Sequence, residues 1–415
     1  MTGIGIADPP IAAVVAHGAG PDSVGRLEMT VCGESLLWLL GAVEQLRADG
    51  AHDVATDQFG AIVAGMVQLD PLVVREVFRD VLWRAWLAEL RQLLGSARQD
   101  RGRLSPLLLR LPVLFLPLLD QLGAGRNWMA ALPAQLRIGP VGGDTYLLSE
   151  TGEDLSIELV RDGDGWTVSA FGRRVASLGA GWPGSSLRVA PLGVTSRPTV
   201  GHGIDVLDAP SFPEMSAARR SIEATSTASA GEIDHQLADV FALLQAGWPA
   251  AMPDVQAFFR GVFPITSGPG HWNSASTDAI PLALQLTIPE VSTPLALGES
   301  VVHETAHVKL DLLMTMVPLL DNSSERIHRH PWREDLRPLS GVLMGSHAFL
   351  NVLLYYRRMV EAGLGGTEAE RELARRQSEV LTALELLSER GRFTDDGLAL
   401  FEGMIGALGR AASRV

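Results

Sequence analysis

The chain has one cysteine and one lysine, and each scarcity removes a class of explanation. Cys32 alone can form neither a disulfide framework nor a thiolate metal cluster. Lys309 is the only lysine among 34 basic residues; the remainder are arginine, a bias of coding that says nothing about mechanism. Acidic residues number 48, so the net charge is −14, which argues against a nucleic-acid surface built on a basic stripe. Long apolar runs are missing too. Residues 107–122 come nearest, but Arg110, Pro112, Pro117 and Asp120 interrupt them, and a bilayer span needs about 20 apolar residues. That stretch reads as a buried core segment. Residues 1–8 lack a basic region followed by an apolar one, so no secretion signal is expected. Neither nucleic acid nor membrane is an expected partner, and the expected location is cytoplasmic. There are no internal repeats.

What is present describes a globular protein: 47% apolar and 20% charged residues over a length of 415. That length suits two or three structural units. Residues 34–96 carry apolar side chains at helical spacing, with Val74, Val77, Phe78, Val81, Leu82, Trp86 and Leu90 as one stripe and Gly95 as a helix end. From residue 136 to about 206 glycines multiply, and short runs at 145–148, 155–160, 166–170 and 187–189 predict strands. Asp162-Gly163-Asp164-Gly165 is a hairpin signal between two of them. A Ser/Ala/Thr-rich stretch at 216–231 reads as a connection. Helices are expected at 233–245 and 253–262, a strand at 280–288 with Pro281 suiting an edge, and helices at 341–362 and 367–390. Such an edge could pair with an extended peptide. The expected fold is α+β and mainly helical. N-terminal helices (1–130) and a small antiparallel β unit (131–215) lead through a connecting segment (216–232) to a helical C-terminal metal-site domain (233–415) with an edge strand.

Chemistry is announced at His303-Glu304-Thr305-Ala306-His307. Residues four apart share a helix face, so both imidazoles can converge on one metal ion while Glu304 stands beside its open position. Ser300 is the expected N-cap. Catalytic metals usually take three protein ligands. His347, on the apolar face of the helix after Gly341, is the expected third, or else a core histidine hydrogen-bonded to backbone, with Asp311 as a carboxylate alternative ligand. His328 and His330 fall in the polar stretch 321–338, which reads as a loop, and are expected to be solvated. Arg326, Arg329, Arg333 and Arg337 also crowd into it. Two prolines and Trp332 restrict the backbone around Arg333 and Arg337, so either guanidinium could grip a carboxylate, or could pair with Glu325, Glu334 or Asp335 instead.

The succession of His303, Glu304 and His307, then Pro331-Trp332-Arg333 and Arg337-Pro338-Leu339, then Gly341, Val342, Leu343 and Gly345, resembles the HExxH-type peptide modification proteins. These accompany ribosomally made, post-translationally modified peptides. The resemblance lies within residues 268–356, and the N-terminal half carries none. It implies an Fe(II)/2-oxoglutarate-dependent peptide β-hydroxylase acting on a precursor peptide. His303 and His307 would hold iron together with a third ligand from the following helix, and Arg333 or Arg337 would bind the far carboxylate of 2-oxoglutarate. Some members of that family carry the third histidine two places beyond His347, where this chain has Phe349, so the pattern departs there. From the pentapeptide alone a zinc peptidase with Glu304 as general base is the natural reading. A peptide-binding partner that keeps the motif without catalysis is the third.

Overall fold

A computed structural model describes residues 11–51, 53–95, 101–114, 127–132, 136–140, 147–148, 155–162, 165–170, 173–178, 187–191, 199–200, 204–207, 228–266, 274–277, 281–288, 293–324 and 326–412. The fold is α+β and mainly helical. Helices come first: α1 (Ile11–Val15), α2 (Pro21–Ala48), α3 (Val54–Met66), α4 (Pro71–Phe78), α5 (Val81–Gly95), α6 (Arg101–Leu109) and α7 (Leu111–Leu114). Strands β1 (Trp128–Leu132), β2 (Leu136–Pro140), β3 (Leu147–Leu148), β4 (Leu155–Asp162), β5 (Gly165–Ala170), β6 (Arg173–Leu178), β7 (Leu187–Pro191), β8 (Thr199–Val200) and β9 (Ile204–Val206) follow. The chain then forms α8 (Ala230–Gly247), α9 (Met252–Phe258), β10 (Gly261–Ile265), β11 (Ser274–Ser276), β12 (Ala283–Thr287) and α10 (Pro294–Met314). It closes with β13 (Arg326–His330), β14 (Arg333–Pro338), α11 (Leu339–Glu361), α12 (Gly366–Arg390) and α13 (Asp395–Ala412).

The chain divides into two compact units, one of residues 1–31, 200–204 and 223–415, the other of 32–199 and 205–222. The sequence reading drew its first boundary at 130, whereas this division falls inside α2 and groups residues 1–31 with the C-terminal half. In the second unit, Asp53 caps α3 by accepting from Thr56 N at 2.8 Å. Trp83 and Trp86 stack at 4.9 Å, and the Trp86 indole donates to Leu107 O at 2.8 Å. Leu107, Leu108 and Leu111 are buried, so the described part of the apolar stretch is core; its remainder, 115–122, lies outside the described residues. The strands form antiparallel sheets in the orders β1-β4-β5-β6 and β3-β2-β7. Asp162 pairs with Gly165, which closes the expected hairpin, although Gly163 and Asp164 themselves lie outside the described residues. So do residues 216–227 of the expected connection.

The first unit positions the candidate site. Ser229 and Glu232 form a reciprocal capping box that starts α8. β10 and β12 run parallel and are buried along their whole length, as strands covered on both faces are. β11 pairs antiparallel with β12 on its other side. The strand read as a possible edge is therefore flanked on both sides, and among the described residues the end of the sheet belongs to β11. Pro281 sits in the turn before β12, where Leu282 takes a left-handed φ of 69° and its carbonyl accepts from both Arg260 N and Gly261 N. The helix expected over 253–262 ends at Phe258, and Val262 lies in β10.

Helix α10 packs against β11, β12, α8, α9 and α11. Thr293, not Ser300, caps it by accepting from Ala296 N, and Pro294 at the first helical position needs no partner for its missing N–H. The stretch 321–338 is an antiparallel hairpin, β13–β14, with two register shifts, and not a loop. Helices α11 and α12 match the expected pair, the latter ended by Gly391. Helix α13 was not expected; it packs against α1. Among the described residues one helix, α11, is long and apolar enough to cross a membrane by length and composition, but it is mostly buried inside the protein.

Candidate metal centre

The pentapeptide lies in the middle of α10, and the helix does what the four-residue spacing requires. His303 Nε2 and His307 Nε2 are 3.0 Å apart, with the rings edge to face. Without an ion one neutral imidazole can donate to the other at that distance. Two imidazole nitrogens this close on one helix face could both reach a single metal ion. Among the described residues, His307 Nδ1 has no hydrogen-bond partner.

Electrostatics keep both rings in the form that binds metal. Burial pushes His303 well below its ordinary value, and the fields of His307, Arg376 and His347 add to that. Burial also lowers His307, with Glu304 opposing. Both are neutral near pH 7, as imidazole ligands must be.

Glu304 is buried and its two oxygens are separately held. Ser274 Oγ donates to Oε1 at 2.7 Å and Ser276 Oγ donates to Oε2 at 2.9 Å, both hydroxyls coming from β11. Oε1 lies 4.0 Å from His303 Nε2. The carboxylate thus stands beside the imidazole pair without touching it.

His347 does not join that pair. It is fully buried, and its Nε2 donates to Val14 O at 2.6 Å. Burial drives it down to about 3, with Lys309 and His17 acting on it more strongly than His307. It belongs to a second polar group in which Lys309, wholly buried, donates to Asp254 at 2.5 Å and to Ala16 O at 3.3 Å. There His17 N donates to Asn351 Oδ1 at 2.6 Å, and Gly18 N donates to Asp254 Oδ2 at 2.8 Å. The ring beside His303 is Phe349, at 4.6 Å. Among the described residues no group of three or more His, Cys, Asp or Glu could hold a metal ion, Asp311 included.

Behind Phe349 stands a column that the sequence did not announce. Trp332 stacks on Phe349 at 4.4 Å, and the Arg376 guanidinium sits 4.5 Å over the same ring. Arg376 pairs with Glu299 at 2.5 Å and Glu379 at 2.8 Å, and the Trp332 indole donates to Glu379 at 3.0 Å. Tyr356 donates to Glu299 as well. The hairpin arginines are placed differently. Arg337 pairs with Asp335 at 2.7 Å near the surface, the partner that the sequence allowed as the ordinary alternative, while the side chain of Arg333 lies outside the described residues. His328 is buried rather than solvated, and His330 tilts against Trp332.

No known family model matches the chain, and no curated protein matches it significantly.

Proposed function

We propose that this protein is an Fe(II)/2-oxoglutarate-dependent oxygenase that β-hydroxylates a residue of a ribosomally made precursor peptide, in the cytoplasm. The observation that carries the metal part is the convergence of two neutral imidazole nitrogens at 3.0 Å from one helix face. The peptide and cosubstrate parts rest on the resemblance of residues 268–356. His303 and His307 would hold the ion. When bound, iron with 2-oxoglutarate as co-reductant would activate dioxygen, one oxygen atom going to the peptide carbon and the other to succinate with loss of CO2. Arg333 or Arg337 of β14 would take the far carboxylate of the cosubstrate, Arg337 by exchanging its surface partner Asp335.

What favours this over zinc peptidase chemistry is the resemblance, because two neutral imidazoles on one helix face suit either metal. Succinate formation that depends on 2-oxoglutarate, Fe(II) and a precursor peptide tests the proposal. Peptide cleavage by tightly held zinc, with no use for 2-oxoglutarate, would refute it.

A second reading has its own observation. Phe349 packs on His303, and Arg376 behind it places a cation near a would-be cation site. A peptide-binding partner that kept the motif after losing the third ligand would look this way. Metal content separates the two: stoichiometric metal lost in His303→Ala excludes a purely binding role.

A further inference from the structure

We infer that Ser274 and Ser276 are positioning residues for Glu304, fixing its carboxylate next to the imidazole pair and out of the metal's ligand shell. The inference rests on the metal centre proposed above and deepens it. The two serines are two apart on β11, so their side chains leave the strand on one face. Each donates to a different oxygen of Glu304, at 2.7 and 2.9 Å. Two donors on two oxygens fix the plane of a carboxylate as well as its position, which one donor cannot do. A buried carboxylate also needs such partners to offset lost hydration, and Glu304 is only 2% exposed. Both donors are neutral, so the full negative charge remains beside a site meant for a dication. Oε1, the oxygen held by Ser274, is the one 4.0 Å from His303 Nε2. Without the clamp, rotation of the Glu304 side chain could carry it onto the ion or onto an imidazole.

The test uses the full-length metal-free protein and Co(II) alone as probe, reading stoichiometry, affinity and visible absorption. Wild type binds one Co(II), and His303→Ala abolishes binding. The double variant Ser274→Ala/Ser276→Ala binds about tenfold or more weakly, as loss of groups that orient a metal site generally does, and its absorption bands move. Ser274→Thr/Ser276→Thr restores both, because threonine keeps the hydroxyl and suits a strand. A purely structural role would lower the melting temperature without moving the bands of the folded fraction. If the double alanine variant fails to fold, each single variant frees one oxygen and is read the same way. Alanine variants that are folded and keep wild-type affinity and spectrum overturn the inference and leave the metal centre standing. A wild-type protein that binds no Co(II) overturns both.

Discussion

The single lysine of the chain is wholly buried, two residues beyond His307 on α10. Asp254 makes that tolerable: burial lowers the Lys309 ammonium while the carboxylate opposes, and the Lys309 charge holds Asp254 far below the usual carboxylate range against burial. Removing one member leaves the other charged and unpaired, which costs about 3–5 kcal/mol. Lys309→Met is therefore expected to lower the urea unfolding free energy by that order, and adding Asp254→Leu should recover part of it. Nothing in the sequence marked Lys309 as buried, because composition counts a charge without locating its partner. The imidazole pair was legible because its geometry is local to one helix. The third ligand was not, because His347, Phe349 and Arg376 are sorted by what packs against them. If Arg333 or Arg337 binds the cosubstrate, changing each to Ala raises the 2-oxoglutarate concentration needed for half-maximal succinate formation without removing metal; an unchanged requirement in both variants refutes that role.

At the scale of elements, α10 and α11 approach closely because Gly298 has no side chain. A Cβ there would stand 2.5 Å from the Tyr355 hydroxyl, which donates to Leu295 O. Gly298→Ala is expected to destabilise by about 1–3 kcal/mol, seen as a lower thermal midpoint, and to loosen the Tyr355 bond. Smaller residues at 355 should relieve part of the loss. The hairpin β13–β14 escaped the sequence reading for a related reason. Its residues are charged on both faces, with Pro331 and Pro338 at the turn and end, so no period-two apolar pattern marks a strand. Helix α13 escaped because Gly397, Gly403, Gly406 and Gly409 dilute its apolar stripe, yet Leu400 and Met404 are fully buried. By contrast α12, with Val380, Ala383, Leu384 and Leu387 in register, was plain.

For the molecule as a whole, two buried histidines, His17 and His347, and two partly buried ones, His303 and His307, make stability depend on pH. Burial lowers His17, His303, His307 and His347. An unfolded histidine titrates near 6.5, whereas His347 is held near about 3, so between those values the unfolded chain binds the extra proton. The stabilising contribution is complete above 6.5 and is lost as pH falls toward 3. Urea midpoints of the metal-free protein should decline across that window, and His347→Gln should flatten the decline; a flat profile in wild type would contradict the buried neutral imidazoles. The same cluster ties residues 14–18 to the C-terminal half through backbone bonds to Lys309, Asp254, Asn351 and His347. A chain shortened to residues 233–415 is expected to lack the cooperative unfolding transition of the full protein, by circular dichroism, because Lys309, Asp254 and His347 would lose those partners.

Periodicity, caps and the His-Glu-x-x-His spacing were enough to place most helices, the hairpin at 162–165 and the imidazole pair on one helix face, since all of these depend on residues within a few turns of each other. Which ring fills the place beside His303, which serines hold Glu304, and why residues before 20 belong with residues after 230 depend on packing between segments tens to hundreds of positions apart. Only the folded chain brings those groups within hydrogen-bonding distance, because burial cost is satisfied by whichever partner the tertiary structure delivers.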